Sequence, residues 1–268
     1  MSRSTCALSI VVPTRNEAPN VAPLVDGLEG ALADLTGGWE LIFVDDSDDA
    51  TPAEVRSVAE RTSVDVRLLH REPGARQGGL GGAVQAGFRL ARGRVISVMD
   101  GDLQHPPEVI PALVAPPLSG DADIVAGSRY GQQKGTDGLD GPWRRLVSWS
   151  CRWLAYLAVP ASRPFEDPLS GLFAVRREVV EEADLRADGY KILLEVAARG
   201  QWRSACNVAY SFAERNAGDS KASLREGLVF LRHLVKLTYR SRHTTRAPGS
   251  GVQPAPAAPE PRPLPVRS

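Results

Sequence analysis

Residues 39–55 read WELIFVDDSDDATPAEV, and this stretch is the clearest indication of the fold class. The mostly apolar, β-branched run at residues 39–44 predicts a buried strand, and Asp45 and Asp46 follow at its end. Thr51 and Pro52 then predict the cap and the first position of a helix. A strand, an acidic turn and a helix in this order are typical of the repeating unit of a parallel sheet.

The same order recurs on both sides of this stretch. Further buried parallel strands are predicted at residues 7–12, 64–69 and 94–99, and apolar residues at helical spacing occupy residues 21–35, 55–59 and 83–91. This alternation predicts an α/β fold with a doubly wound, mostly parallel sheet and helices on both faces. In such folds the carboxyl ends of the strands line the ligand crevice.

The second half of the chain is less regular. Strands are predicted at residues 123–130 and 170–175, with an edge strand at 206–210, and helices at 141–159, 190–199 and 224–239. We predict a short N-terminal extension at 1–6, a catalytic domain at 7–243 and a disordered tail at 244–268. The tail is rich in Pro and Ala and cannot bury enough apolar surface to offset its chain entropy.

Composition narrows the classes of function. Lys plus Arg and Asp plus Glu each number 32 among 268 residues, so the formal net charge is zero and a nucleic-acid coat protein is not expected. The three cysteines, Cys6, Cys151 and Cys206, show no disulfide or metal spacing, which favours a reducing, cytoplasmic compartment. The chain contains no apolar run long enough to predict a transmembrane helix.

The strongest chemical motif is MDGDLQHPPEVIP at residues 99–111. Asp100 and Asp102 follow an apolar strand in a turn that Gly101 makes permissive, and Gln104 adds a neutral oxygen. Oxygen ligands of this kind suit Mg²⁺ or Mn²⁺, which leave coordination positions open for substrate phosphates. The alternative is a solvated turn in which an Asp caps the following helix.

Two further motifs admit both a functional and a purely structural interpretation. An Asp at the end of the strand 39–44 suits a nucleobase or ribose, but it could equally belong to an acid-rich helix start. The glycine cluster RQGGLGGAVQAG, residues 76–87, could let the backbone approach a diphosphate or let a helix pack close to the sheet. It matches neither the dinucleotide fingerprint nor the Walker loop.

Seven motifs in order carry a family resemblance: VVPTRNE, VDDSDDAT, GGLGGA, MDGDLQHPP, AGSRY, DPLSGLF and RNAGDSK. The set resembles the inverting nucleotide-sugar glycosyltransferases of family two, which have the GT-A fold. Within that family it is most similar to the dolichol- or polyprenol-phosphate mannosyltransferases. The resemblance covers roughly residues 8–239.

The resemblance implies roles for individual residues. A nucleotide pocket would be lined by Pro13, Arg15, Glu17, Val44, Asp46, Asp100 and Gly101. The cation would be held by Asp100, Asp102 and Gln104. Arg129 would face the donor sugar or phosphates, and Asp167 would lie near the sugar. Arg144 or Arg145 would approach the acceptor phosphate, and Arg215 and Lys221 would close over the phosphates on a mobile loop. Asp102, Asp167, Arg215 and Lys221 are thus the expected catalytic groups.

The chain departs from the family pattern in three places. Arg15 stands where an aromatic residue is common, although an arginine plane can also stack on a base. Gln77 stands nearest to the position of the lysine that usually precedes the glycine cluster. The acidic turn is one residue shorter than the common DDxSxDGT form. These departures leave the donor nucleotide open.

The implied activity is transfer of mannose from GDP-mannose to a polyprenyl phosphate. The alternatives are UDP-glucose or UDP-N-acetylglucosamine as donor, a soluble glycan or metabolite as acceptor, and a non-catalytic nucleotide-sugar-binding module. The complete set of Asp100, Asp102 and Gln104 argues against the last.

Two amphipathic stretches indicate contact with a membrane surface. Leucines and Val235 recur at helical spacing within residues 224–239, and Trp149, Trp153, Tyr156 and Leu157 form an aromatic-rich stretch near basic residues. Basic amphipathic helices with aromatics suit a bilayer interface, although the same stripes could complete the core. We therefore expect a peripheral enzyme at the cytosolic face of a membrane.

Overall fold

The computed structural model describes residues 6–129, 142–186 and 191–211, except for the side chains of 142–149. Its strands are β1 (Leu8–Thr14), β2 (Trp39–Asp45), β3 (Asp65–His70), β4 (Val95–Val98), β5 (Ile124–Ser128), β6 (Phe173–Arg176) and β7 (Ala205–Ala209). Its α-helices are α1 (Ala18–Ala31), α2 (Thr51–Arg61), α3 (Gly79–Leu90), α4 (Ile110–Ser119), α5 (Pro142–Ala158), α6 (Arg177–Glu181) and α7 (Ile192–Arg199).

The seven strands form one sheet in the order β3-β2-β1-β4-β6-β5-β7. The first four strands pair in parallel, and β7 pairs in parallel with β5. Strand β6 runs antiparallel to both of its neighbours, β4 and β5. The predicted mostly parallel sheet is therefore confirmed. Because β6 is reversed, the loop that precedes it lies at the same sheet edge as the carboxyl ends of the other strands.

Hydrophobic clusters cover both faces of the sheet. On one face α1, α2 and α4 pack on side chains such as Leu8, Ile10 and Phe43. On the other face α3, α6 and α7 pack on side chains such as Val11 and Ile42, which alternate with the first set along the same strands. Alternation of this kind buries both faces, which confirms the predicted helices on each side.

Strand β3 differs from its expectation as a buried strand. Its residues are mostly half-buried, because β3 is the last strand of the sheet and has a neighbour on one side only. The prediction of an edge strand near residues 206–210 is confirmed by β7 at the opposite end of the sheet.

The start of α2 also differs from its expectation. Thr51 is the first helical residue rather than the cap, and Ala50 precedes it. The backbone N–H of Thr51 donates to Oδ1 of Asp49 at 2.9 Å, so the acidic turn itself satisfies this end of the helix. The Thr51 hydroxyl accepts the N–H of Glu17 at 3.0 Å, which joins the ends of β1 and β2.

Strand β6 begins three residues later than the sequence suggests, at Phe173. Ser170 closes the preceding loop locally, because its hydroxyl oxygen accepts the N–H of Leu172 at 3.2 Å. The segment from Asp167 to Gly171 is thus a turn at the carboxyl edge of the sheet.

A buried ionic cluster lies at the amino edge of the sheet. Glu40 is 1% exposed and accepts hydrogen bonds from Ser9 Oγ at 2.6 Å, Arg92 Nε at 2.8 Å and Arg67 Nη1 at 3.1 Å. Burial by itself raises the pKa of Glu40, but these hydrogen bonds outweigh it and hold the pKa below its ordinary value. The cluster joins β1, β2, β3 and the segment that leads into β4.

The predicted extension at 1–6 lies outside the described residues up to residue 5, and the predicted helix at 224–239 and the tail at 244–268 lie wholly outside them. The domain boundaries therefore stay predictions. Within the described ranges, no helix has both the length and the apolar character needed to cross a bilayer.

Candidate active site

Three polar segments meet at the carboxyl edge of β1, β2 and β4. The N–H of Asp46 donates to the carbonyl of Thr14 at 2.9 Å, which brings the end of β2 against the end of β1. Gly101 lies so close to β1 that a β-carbon there would be 2.9 Å from Cγ2 of Thr14. The acidic turn after β4 therefore lies beside residues 13–17 and 46, and we call the space that these segments border the cleft.

Asp45 is a structural residue of this edge. It is fully buried, and its Oδ1 accepts the hydroxyl of Thr14 at 2.7 Å. Its Oδ2 lies 2.7 Å from Nδ1 of His70 on β3. These bonds tie the ends of β1, β2 and β3 together and leave the neighbouring carboxylate, Asp46, to face the cleft.

Asp46 forms a bidentate ion pair with Arg71, which follows β3. Nε of Arg71 lies 2.7 Å from Oδ1 of Asp46, and Nη2 lies 2.5 Å from Oδ2. Both side chains are about nine-tenths buried. Two parallel N–H···O bonds fix the plane of the carboxylate as well as its distance, so Asp46 presents its remaining lone pairs in one orientation.

The same arginine holds the glycine-rich segment. Nη1 and Nη2 of Arg71 donate to the carbonyls of Gln77 at 3.3 Å and Gly79 at 2.9 Å. Gly78 has a φ of 75°, which a residue with a side chain adopts at a cost. The start of α3 is therefore attached to the pocket through Arg71, at the place where the lysine of the family pattern is missing.

Asp100, Asp102 and Gln104 are partly exposed at the mouth of the cleft, and the side chain of Asp100 is 41% exposed. Oδ1 of Asp102 accepts the N–H of Gln104 at 3.1 Å, and Leu103 between them has a φ of 62°. This turn directs two carboxylates to solvent beside the pocket. Mg²⁺ is commonly bound by one or two carboxylates together with substrate phosphates, so the donor set fits such a cation.

No group of three or more His, Cys, Asp or Glu side chains is arranged for a metal within the part of the chain that the structure describes.

His105 lies beneath this turn as a packing residue. It is 2% exposed, and its Nδ1 accepts the backbone N–H of Asp100 at 3.1 Å. Its ring contacts Tyr210 edge-on, with 5.6 Å between the centroids. Burial lowers the pKa of His105, and the accepted hydrogen bond requires an unprotonated Nδ1. A neutral imidazole therefore supports the backbone of the acidic turn.

Arg129 and Asp167 form a second ion pair across the cleft. Nε of Arg129, which follows β5, donates to Oδ2 of Asp167 at 2.8 Å. Asp167 is nearly buried, whereas 30% of the arginine side chain is exposed. Arg129 is thus oriented by a buried carboxylate.

Lys191, at the start of α7, is a site residue that the sequence analysis missed. Its Nζ donates to the carbonyl of Leu169 at 3.1 Å. Burial and the positive charge of Arg129 lower the pKa of Lys191, and the charges of Asp167 and Asp100 oppose this effect. The lysine therefore belongs to the charge cluster around the turn that precedes β6.

The remaining predicted pocket residues differ in how far they are exposed. Arg15 is exposed and Glu17 is half-buried at the end of β1, where Oε2 of Glu17 accepts from Asn20 at 2.6 Å. Pro13 is buried. Val44 is fully buried and packs in the core beneath α3, so its side chain contacts other core residues and only its backbone faces the site.

Four predicted residues have no described side chains. Arg144 and Arg145 belong to α5, whose backbone is described there, whereas Arg215 and Lys221 lie outside the described residues altogether. Their assignments to the acceptor phosphate and to the mobile loop stay predictions.

Arg71 could have been found from the sequence and Lys191 could not. Arg71 comes two residues after the predicted strand 64–69, just as Asp46 comes two residues after the predicted strand 39–44. Lys191 starts a helix more than 80 residues from the acidic turn, and only the reversed strand β6 brings the loop it contacts to the cleft.

Comparison with known proteins identifies the chain's relatives. Residues 9–183 match the profile of "Glycosyl transferase family 2". A curated dolichol-phosphate mannosyltransferase from Pyrococcus furiosus is 38% identical over 232 residues, which cover 86% of this chain and 63% of the relative. One from Mycosarcoma maydis is 36% identical over 251 residues, 90% of this chain and 82% of the relative. The chain thus spans less than two thirds of the length of the first relative.

A solved structure supports the fold. A mannosyltransferase from Pyrobaculum calidifontis, in complex with GDP-Man and Mn²⁺, superposes with a TM-score of 0.57 over 91% of this chain and 66% of that chain, at 20% identity. The α/β fold is therefore the predicted GT-A fold. The sequence match covers most of the sheet, and it agrees with the cleft at the carboxyl edge and with this shared architecture. The chain belongs to glycosyl transferase family 2.

Proposed function

We propose that this protein transfers mannose from GDP-mannose to a polyprenyl phosphate, with Mg²⁺ or Mn²⁺ as cofactor. The observation that carries the proposal is the single cleft in which Asp46, Asp100, Asp102 and Arg129 lie together. The acceptor class is supported by the two relatives that carry the name dolichol-phosphate mannosyltransferase at 38% and 36% identity. The neighbour solved with GDP-Man and Mn²⁺ supports the donor and the kind of metal.

The departing nucleoside diphosphate develops negative charge that the cleft must stabilise. Asp100, Asp102 and Gln104 would hold the cation, which supplies positive charge beside the leaving diphosphate when bound. Asp46, held in plane by Arg71, would accept N–H groups of the base. Arg129 would contact the donor sugar or phosphates with its exposed face, oriented from behind by Asp167.

The acceptor needs positioning more than it needs a general base. A phosphate monoester is largely deprotonated at neutral pH, so its oxygen can attack the sugar without losing a proton first. Arg144, Arg145, Arg215 and Lys221 would bind this phosphate and the diphosphate. Fixing the two reactants in line contributes to the rate by lowering the entropy cost of their encounter.

A lipid-linked acceptor requires approach to a membrane, and α5 offers a surface for it. Trp153, Leu154 and Leu157 on this helix are 49%, 40% and 68% exposed. The guanidinium of Arg152 lies 6.0 Å from the ring of Tyr156 beside them. We place the protein peripherally at the cytosolic face of the membrane, a location that the three unpaired cysteines also suit.

The direct test of this function is a panel of nucleotide sugars with short polyprenyl phosphates and Mg²⁺ or Mn²⁺. We expect GDP-mannose to give a lipid-linked product and UDP-glucose to give much less. The variant Asp102→Ala should keep its fold and lose about 100-fold or more in turnover, because stabilisation of the leaving group is lost.

The matched control is Asp34→Ala, which removes an exposed carboxylate far from the cleft and should leave turnover unchanged. Turnover near the wild-type rate in Asp102→Ala would refute the metal role. Efficient transfer from a UDP-sugar instead of GDP-mannose would replace the proposed donor.

A further inference from the structure

Gly171 lies against the back of the Asp100 carboxylate. A β-carbon at position 171 would be 2.8 Å from Oδ2 of Asp100, and 3.3 Å from both its Cγ and its Oδ1. Contacts under about 3 Å do not occur for a β-carbon, so any side chain at this position would displace the carboxylate. Only glycine, which has no β-carbon, leaves the space that the Asp100 carboxylate occupies.

Asp100 cannot relieve such a contact by moving its backbone. The N–H of Asp100 is bonded to the buried ring of His105 at 3.1 Å, and the preceding residue, Met99, donates to Val11 on β1 at 3.2 Å. The following residue, Gly101, is already packed against Thr14. Only rotation of the Asp100 side chain remains, and this rotation would move its oxygens out of their present position.

The loop that carries Gly171 is held in place from behind. The N–H of Ser170 donates to the carbonyl of Asp167 at 3.1 Å, and Asp167 is paired with Arg129. Nζ of Lys191 donates to the carbonyl of Leu169, in the middle of the loop, at 3.1 Å. A loop fixed at both its start and its middle cannot retreat readily from Asp100.

We propose that the loop from Asp167 to Gly171 sets the position of the Asp100 carboxylate, with Gly171 as the contact and Lys191 as the anchor. Both are positioning residues, because they act on a cation ligand rather than on substrate. This inference rests on the proposed function in that it takes Asp100 as a ligand of Mg²⁺ or Mn²⁺. It adds that a loop from the second half of the chain governs the cation affinity.

The test is the affinity for Mn²⁺ alone, measured by electron paramagnetic resonance on the full chain. Gly171→Ala should bind Mn²⁺ about 10-fold or more weakly, and its kcat with saturating Mn²⁺ should recover in part. Lys191→Met should weaken binding by a smaller factor, and Lys191→Arg should restore it in part, because the guanidinium can also donate to the Leu169 carbonyl.

Two glycine variants serve as controls. Gly30→Ala places a β-carbon with no atom within 4 Å on helix α1, where Ala is a better helix former than Gly, so it should not lower stability and should leave Mn²⁺ affinity unchanged. Gly200→Ala places one 2.8 Å from Cγ1 of Val179, far from the cleft, and should lower stability without changing Mn²⁺ affinity. The pair separates a local effect on Asp100 from a general loss of stability.

The outcomes distinguish this inference from the proposed function. If wild type binds Mn²⁺, Asp102→Ala does not, and folded Gly171→Ala binds as wild type does, the positioning role is overturned and the metal site stands. If Gly171→Ala does not fold, unchanged affinity in Lys191→Met overturns the role in the same way. If wild type itself does not bind Mn²⁺, the metal site and the positioning role fail together.

Discussion

Asp45 and Asp46 are neighbours in the sequence with opposite surroundings in the fold. Asp45 points into the sheet edge, where Thr14 and His70 bond its two oxygens. Asp46 points to the cleft and is paired with Arg71 at 2.7 and 2.5 Å. Alternation of side chains along β2 separates a structural carboxylate from a ligand-facing one. The role of each acid therefore follows from the strand geometry.

Removal of Arg71 should be costly because it leaves a buried carboxylate without its partner. We expect Arg71→Met to lower the free energy of unfolding by about 3–5 kcal/mol and to weaken nucleotide binding. Urea denaturation measures the first effect, and calorimetric titration with GDP measures the second.

The comparison variant is Arg61→Met. Arg61 pairs with Asp26 at 3.6 Å, and at least half of each side chain is exposed. Its removal should cost no more than about 1 kcal/mol. Equal losses in the two variants would contradict a special role for the buried pair of Arg71 and Asp46.

Strand β6 contributes to the site in a way that its sequence does not indicate, whereas the surface of helix α5 was expected from its aromatic residues. Strand β6 is four residues long and reversed, and its reversal carries Asp167 and Gly171 to the edge where β1, β2 and β4 end. Helix α5 buries Ala155 and leaves Trp153 and Leu157 exposed. The first element completes the cleft, and the second supplies an apolar surface.

The exposed face of α5 should bind lipid. Replacing both Trp153 and Leu157 by Ser removes two apolar side chains worth roughly 1.5–3 kcal/mol each when fully buried. We expect about 10-fold or greater loss of binding to anionic vesicles, with little change in stability, because both side chains are solvated in the free protein. Vesicle flotation measures the binding.

Leu80→Ser is the control for this experiment, because Leu80 is 40% exposed on α3 rather than on α5. It should leave vesicle binding unchanged. Binding of the double variant at the wild-type level would show that the membrane surface lies elsewhere or is absent.

The molecule as a whole separates its two polar clusters to opposite edges of one sheet. The cleft with Asp100 lies at the carboxyl edge and is partly open. At the amino edge Glu40 is 1% exposed, whereas the side chains of Arg67 and Arg92 are each 31% exposed. The burial of Glu40 gives this second cluster the clearer consequence for global stability.

Stability should depend on the charge of Glu40. At neutral pH Glu40→Gln should lower the free energy of unfolding by about 3 kcal/mol, because Arg67 loses its carboxylate partner and Arg92 keeps only Asp65. The pKa of Glu40 is lower in the folded protein than in the unfolded chain, where it is about 4.3. The stabilisation is therefore complete above about pH 4.3 and is lost as the pH falls through the folded pKa.

Thermal unfolding of both proteins between neutral and acidic pH checks this. The difference in stability between wild type and Glu40→Gln should become smaller as the pH is lowered. Glu60→Gln, which changes an exposed carboxylate on α2, should show no such narrowing. A constant difference across the range would mean that Glu40 acts through packing alone.

The strands were the most predictable elements. The runs that became β1, β2, β3 and β4 were identified to within one or two residues at most ends, because apolar residues between acidic or glycine-rich turns are a local signal. The prediction that β3 is a buried strand was wrong, since a residue's own neighbours in sequence do not reveal whether its strand lies at the edge of the sheet. Thr51 was misassigned as a cap because its hydroxyl bonds to Asp49 and Glu17 instead of accepting an N–H of the first helical turn.

The sequence by itself determined the alternation of strands and helices, the family and the acids that follow β2 and β4, because each depends on residues adjacent in the chain. Only the tertiary structure decided which acids face the cleft, that Arg71 and Lys191 belong to it, and that Gly171 touches Asp100. The residues in these contacts are 22 to 71 positions apart in the chain. Their partners are chosen by strand order and direction, which pack side chains together without any local pattern to mark the pair.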